Sequence, residues 1–331
     1  MSDIDFVVTW VDNQDIEWRN KKNHYLSKSD ENFTEAEIGD ERFRDYGTLL
    51  YLFRSIEKYA NWVHHVYLIT DGQKPDWLKL NNNKVTVIDH QDILPKGSLP
   101  TFNSDVIECG IPKIPNLAEK FVYFNDDILI NKKVSPEDFF IDDKPRDSRI
   151  YSPITPNGVY DKITFSTTML INQWLDGRWP ISKQGIKQTI FESKAQLFNL
   201  YMQKRRHAVL GYWLTHTANS YTKQSFNKAE EIWKNELSSI QNNQFRDVSD
   251  VSITLLVRYL QLELGNFIPR KLDFSELYSL KDLDRIIKDL KEEQHSIICI
   301  NDADISNFDK VTSVLDKKLS KKYNKKSLFE L

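Results

Sequence analysis

The chain has 331 residues, 40% apolar and 12% aromatic, which is enough for one large or two ordinary domains with a sizeable core and too much for extended disorder. Its 48 acidic groups against 45 basic ones leave a formal net charge of −3, which excludes a nucleic-acid binder relying on a broadly basic surface. No segment approaches the ~20 apolar residues that span a bilayer, and Met1-Ser2-Asp3-Ile4-Asp5 lacks the basic start and apolar run of a signal peptide, so a cytoplasmic protein is expected.

In chain order, the first third alternates short apolar runs with helical patterns, which predicts an α/β fold built on a mainly parallel sheet. A first strand, Asp5 to Trp10, ends in Val11-Asp12-Asn13. A helix follows on Leu49, Phe53, Ile56 and Tyr59, with Arg54 beside its buried face, either reaching a crevice rim or solvated. Strands at His65 to Thr70, Lys84 to Asp89 and Lys120 to Phe124 end in Asp71-Gly72-Gln73, His90-Gln91-Asp92 and Asn125-Asp126-Asp127. Ligands of parallel sheets bind outside the carboxyl ends of the strands, so these polar tails are expected to line one crevice.

The connection around residues 140 to 160 carries Pro145, Pro153 and Pro156 and predicts a seam. Residues 1–160 then form a Rossmann-like half and 161–310 a mostly helical one that completes the site. One amphipathic helix is expected over Phe226, Ala229, Ile232, Trp233, Leu237 and Ile240, and another from a Ser249 or Asp247 cap to Gly265. A strand-like run, Ile297 to Ile300, ends in Asn301-Asp302 and repeats the apolar-then-Asn-Asp order of Phe124-Asn125-Asp126. In the last segment, 311–331, lysines 317, 318, 321, 322, 325 and 326 flank Leu315, Leu319 and Tyr323 at a spacing of four. Such a stripe either lies peripherally on an anionic membrane or packs on the body of the protein.

Asp126-Asp127 is the sharpest chemical signal. Adjacent carboxylates facing a crevice repel unless a cation, a proton or a turn relieves them; Mg²⁺ with substrate phosphates is one reading and an Asx-rich turn the other. Neither GxGxxG nor GxxxxGK[ST] occurs, which argues against dehydrogenases and P-loop kinases. A nucleotide-sugar site, whose diphosphate is held by a metal and arginines, fits better, with Asp12 at the first strand's end. His216 and Arg246 read from position alone as structural and solvent-exposed. Cys109 and Cys299 lie far apart without metal-type spacing and read as reduced thiols, a disulfide being the alternative.

Several blocks in order resemble the Stealth family of sugar-phosphate transferases. The first is Asp5-Phe6-Val7-Val8-Thr9-Trp10-Val11-Asp12, followed by Asp15 and Trp18. A second runs through Arg42-Phe43-Arg44-Asp45, Arg54 to Ala60, Thr70-Asp71-Gly72-Gln73, Leu99 to Ser104 and Tyr123 to Asp127. Weaker third and fourth blocks lie around His216 with Phe245-Arg246 to Asp250, and around Cys299-Ile300-Asn301-Asp302. The chain departs from the family pattern at Tyr46, Thr48, Leu50 and Ala218.

The resemblance implies transfer of a hexose-1-phosphate or N-acetylhexosamine-1-phosphate unit from a UDP-sugar to a hydroxyl of an oligosaccharide or polysaccharide, lipid-linked acceptors included, with release of UMP. It implies Mg²⁺ or Mn²⁺ on Asp126 and Asp127, with Asp302 a further candidate. Arg54 and Arg246 would clamp phosphoryl oxygens, and His216, or else Asp126, would act as base. Thr9, Trp10, Val11, Asp12, Asn125 and Asn301 are assigned to the nucleotide. The competing functions are a metal-dependent glycosyltransferase that releases UDP and a non-catalytic polysaccharide-binding protein.

Overall fold

The computed structural model describes residues 3–29, 38–39, 42–178, 186, 189, 196–214 and 216–331. Its central strand is β1 (Ile4–Thr9), whose Phe6, Val7 and Val8 are all fully buried. A strand apolar on both faces needs a layer on each, the signature of parallel sheets in α/β proteins. β2 (Val66–Thr70) and β3 (Val85–Asp89) extend the sheet parallel on one side; β4 (Lys120–Asn125) pairs parallel with β1 on the other. After β5 (Ile128–Ile130), β6 (Asn219–Thr222) closes the far edge antiparallel to β4, giving the order β3-β2-β1-β4-β6. The fold is therefore α/β, Rossmann-like and mainly parallel, with the expected strands in place.

Register brings the strand ends together: Thr9 lies opposite both Ile69 and Asn125, and Thr70 opposite Asp89. The polar tails after β1, β2 and β4 thus leave one end of the sheet, where ligands of such sheets bind.

The stretch between β1 and β2 includes α1 (Ile16–Leu26) and α2 (Thr48–Tyr59). α1 starts where Asp15 accepts from the backbone N–H of Glu17 and Trp18. It has no apolar stripe and buries only Trp18 and Lys22, so its periodicity does not announce it. α2 is the helix expected from Leu49, Phe53 and Ile56, which it buries. It begins at Gly47, whose φ of +87° suits glycine and whose N–H donates to Asp45 Oδ1 at 2.6 Å.

Side chains alternate across the sheet, so β1 contributes to two cores. Phe6, Val8 and Phe124 join α2 on one face; Val7, Phe121 and Tyr123 join α3 (Ser104–Glu108), α4 (Val159–Leu175) and the later helices on the other. α5 (Gln196–Arg206) precedes β6. The amphipathic run beginning at Phe226 forms two helices, α6 (Lys223–Ile232) and α7 (Lys234–Ile240), broken at Trp233, whose φ and ψ of −114° and 34° leave the helical region. α8 (Ile253–Glu263) is capped by Ser252, because the carboxylate of Asp247 closes a turn onto Ser249 N–H instead.

Residues beyond 270 return to the α2 face. β7 (Ser275–Ser279), β8 (Ile297–Asn301) and β5 form a separate sheet beside the first, covered by α9 (Leu283–Glu292) and α10 (Phe308–Lys322). The terminal segment differs from the expected basic tail. Leu315, Leu319, Tyr323 and Phe329 are buried in the core that holds Phe6 and Val8, and the Tyr323 hydroxyl donates to Ile130 O at 3.0 Å. Its apolar stripe is spent on the protein's own core, which removes it as a membrane-facing surface. Among the described residues no helix is long and apolar enough to cross a membrane.

Candidate active site

Asn125, Asp126 and Asp127 form the turn between β4 and β5, which holds both carboxylates over the sheet's ligand-binding end. The backbone of Asp127 is tied to β8 through Ile300 N–H on Asp127 O, 2.9 Å, and its Oδ2 accepts from the Cys299 thiol at 3.2 Å. Asp127 Oδ1 is buried with no hydrogen-bond partner. Burial first, then the charges of Asp127 and Asp45, pushes Asp126 well above the usual carboxylate range. Asp127 is raised by burial while His216 and Cys299 pull it back.

His216 enters from the segment before β6. Asn125 Nδ2 lies 3.5 Å from His216 Nε2, and ligand atoms of Asp127, His216 and Cys299 lie within 4.8 Å of one another. His216 holds a φ of +31°, which L residues rarely adopt and which costs about 1 kcal/mol or more. Such strain persists only where the surroundings fix it.

The segment after β1 is held by Gln73, whose Oε1 accepts from Asp12 N–H at 3.0 Å and whose Nε2 donates to Asp12 O at 2.8 Å. Asp12 Oδ1 accepts from Gln14 N–H, and the indole N–H of buried Trp10 donates to Asp45 at 2.9 Å. The Thr9 hydroxyl turns inward to Tyr123, 3.0 Å away, and Val11 packs against the Trp18, Phe43, Phe102 and Phe245 cluster. Side chains of Thr9, Trp10 and Val11 therefore anchor this segment, and Asp12 stands at its end with both backbone groups held by Gln73.

The same aromatic cluster positions Arg246. Phe245 stacks on Phe102 with ring centroids 5.1 Å apart, and Arg246 beyond it places Nε 3.2 Å from Asp105 Oδ2 and donates to Ser104. Glu108, one turn along α3 from Asp105, accepts from Tyr123 OH at 3.1 Å and Thr254 at 2.7 Å. Burial and then Asp105 push Glu108 up to about 7. Through Tyr123 and Thr9 this polar chain reaches the end of β1.

Two expected residues are engaged by ion pairs. Arg54 is not in the crevice: Nε and NH2 grip Glu330 at 3.0 and 2.7 Å, and NH1 donates to Tyr323 O, so it fastens the last segment to α2. Asp302 is gripped by Arg44, which holds both its oxygens at 2.8 and 2.9 Å and stacks on Phe308, and its charge acts on Tyr46 together with those of Asp126 and Asp127. Asn301 is exposed at the end of β8.

Other residues join unannounced. Cys299 faces Asp127, and burial with that neighbour drives its thiol well above its ordinary pKa. Tyr46 donates to Ile300 O beside both carboxylates, at a position where the family pattern has asparagine. The i, i+3 spacing of Asp105 and Glu108 after Ser104 was the available sign of a shared acidic helix face. A cleft of about 620 Å³ opens alongside, lined by Asn13, Gln14, Arg44, Asp45, Tyr46 and Phe308 among others.

Conserved region 2 of Stealth proteins matches residues 42–147. The exopolysaccharide phosphotransferase cps2G of Lactiplantibacillus plantarum is 38% identical, covering 99% of this chain and 96% of that protein. The capsular polysaccharide phosphotransferase WcwK of Streptococcus pneumoniae is 36% identical over 100% of this chain and 98% of its own. Among solved structures, galactosyltransferase LgtC in complex with donor and acceptor sugar analogues is similar at 9% identity and a TM-score of 0.45, covering 97% of this chain and 95% of that one. The chain thus belongs to the Stealth family and is a transferase.

Proposed function

We propose that this enzyme transfers a hexose-1-phosphate or N-acetylhexosamine-1-phosphate unit from a UDP-sugar to a hydroxyl of a polysaccharide acceptor and releases UMP. The observation that carries this reading is the meeting of Asp127, His216 and Cys299, with Asp126 next to Asp127, at the sheet end that β1 and β4 share, in a chain whose full-length relatives are named capsular and exopolysaccharide phosphotransferases.

The two carboxylates suit a hard divalent cation such as Mg²⁺ or Mn²⁺, whereas the Cys299 thiol, which donates to Asp127, and the His216 imidazole beside them are softer donors. Asp127 Oδ1 is a buried acceptor without a donor, and Asp126 is raised by burial and then by neighbouring carboxylates whose charge a cation would offset. Asp126 and Asp127 would hold it, with His216 within reach and Asp302 withheld by Arg44. When bound, the cation offsets the charge of the donor diphosphate.

In the reaction, the acceptor oxygen bonds to the β-phosphorus while the bond from that phosphorus to the bridging oxygen breaks, and UMP leaves with the bridging oxygen. His216 takes the hydroxyl proton, Asp126 being the rival base. Arg246, held on one edge by Asp105 and Ser104, turns its remaining N–H groups to the phosphoryl oxygens. Asp12 and the backbone around it take the nucleotide. The cleft beside Tyr46, lined by amides, hydroxyls and carboxylates, suits sugar hydroxyls.

The test is a UDP-sugar labelled in its β-phosphate, incubated with Mg²⁺ and acceptor polysaccharide. Label in the product together with free UMP is the expected result. Release of UDP with unlabelled product means glycosyl transfer and overturns the reading.

A further inference from the structure

α5 is inside out for a helix facing water. Its buried residues are Gln196, Leu200 and Gln203, whereas Leu197, Phe198 and Tyr201 are exposed at 54%, 68% and 59%. Gln196 faces inward because its amide holds both backbone groups of Tyr151, donating to Tyr151 O at 3.1 Å and accepting from its N–H at 2.8 Å. Gln203 is fully buried with neither amide atom hydrogen-bonded. Water alone does not favour an arrangement that buries amides and leaves three large apolar side chains outside.

A second exposed apolar surface lies on α4 and the segment that follows α5. Phe165 and Met169 of α4 are also exposed and share with Val209 and Leu210 a groove of about 470 Å³. The two segments are joined where Asn172 exchanges hydrogen bonds of 2.9 and 2.7 Å with the backbone of Val209.

Charge selects the occupant. The last turn of α5 carries Lys204, Arg205 and Arg206, all exposed, and Lys162 of α4 and Arg178 just beyond its end are exposed too. Asp176 is the carboxylate lining the groove. Aromatic and aliphatic side chains bordered by clustered cations match the boundary between acyl chains and anionic headgroups. We propose that α5, with Phe165 and Met169 beside it, docks the enzyme on an anionic phospholipid surface. The inference goes beyond the proposed chemistry, and its test needs no turnover.

Purified protein is sedimented with vesicles of phosphatidylglycerol mixed with phosphatidylcholine, and with vesicles of phosphatidylcholine alone. The expected result is binding to the first at low salt and little to the second. The double variant Phe198→Ser with Tyr201→Ser, and separately Lys204→Glu with Arg205→Glu and Arg206→Glu, should each weaken binding at least about tenfold. Lys317→Glu with Lys318→Glu and Lys321→Glu, on the packed α10, should change it less than about twofold. Each variant is exposed at the changed positions, and circular dichroism checks its folding. Failure of the wild-type chain to bind the anionic vesicles, or equal binding by the α5 variants, overturns the proposal. So does a concentration-dependent dimer that the Phe198→Ser, Tyr201→Ser variant abolishes, since the face would then belong to a second copy.

Discussion

Arg44 closes on both carboxylate oxygens of Asp302, Nε to Oδ2 at 2.8 Å and NH2 to Oδ1 at 2.9 Å. A bidentate pair of this kind fixes an orientation as well as a charge. Asp302 is thereby tied to Arg44 of the cleft wall, and in the proposed reaction Asp126 and Asp127 are the carboxylates that hold the cation.

Metal dependence should separate these roles. Asp127→Asn is expected to raise the Mg²⁺ concentration for half-maximal activity about tenfold or more. Asp302→Asn should leave it nearly unchanged while costing about 1–3 kcal/mol of stability through the broken pair. Mg²⁺ titrations of initial rate and urea unfolding measure the two effects; a shifted Mg²⁺ requirement in Asp302→Asn would return that residue to the cation site.

The two arginines should diverge in the same way. Arg246→Ala is expected to lower kcat about 10²- to 10³-fold, as loss of a group stabilising phosphoryl charge does. Arg54→Ala leaves the nearly buried Glu330 carboxylate without its partner and should cost about 1–3 kcal/mol, with kcat within about twofold of wild type. Steady-state kinetics alongside thermal unfolding separates them, and a catalytic collapse in a folded Arg54→Ala variant would place Arg54 back in the crevice.

His216→Ala is expected to lose about 10²- to 10⁴-fold in kcat, the usual range for a general base. Calorimetric affinity for the UDP-sugar should stay near the wild-type value, because the imidazole acts on the acceptor hydroxyl. Full-rate turnover in this variant would pass the role of base to Asp126.

Glu108 makes stability depend on pH. Its folded pKa lies near 7 against an ordinary 4.5, so between those values the native state holds a proton that the unfolded chain has lost. Stability from this group is complete below the unfolded pKa and declines as pH rises toward 7, by roughly 3 kcal/mol at most. Glu108→Gln keeps an acceptor for Tyr123 or Thr254 and should flatten that slope in urea unfolding at successive pH values. An unchanged slope would mean that other groups carry it.

Strand positions and the crevice were legible because β1, β2 and β4 are buried on both faces and each stops at a polar tail. Asp126, Asp127 and Asn125 lie on one such tail, so local pattern located them. His216 and Arg246 needed the family resemblance, since each comes from a loop whose own residues do not tell a site from a surface. The ion pairs of Arg54 and Asp302 were not legible for one reason: their partners, Glu330 and Arg44, lie more than 250 residues away in sequence. Periodicity placed Leu315, Leu319 and Tyr323 on one face but could not say whether lipid or protein covers it.

That covering has a bearing on how the chain is made. α10 lays Leu315 and Leu319 into the core of Phe6 and Val8, although every strand of the central sheet is synthesised before it. The core on that face, which α2 covers in part, consequently stays incomplete until residues near 320 are made. A product cut short ahead of α10 would expose the apolar side chains that α10 covers, so premature termination should yield aggregates and protease substrates rather than a smaller working enzyme.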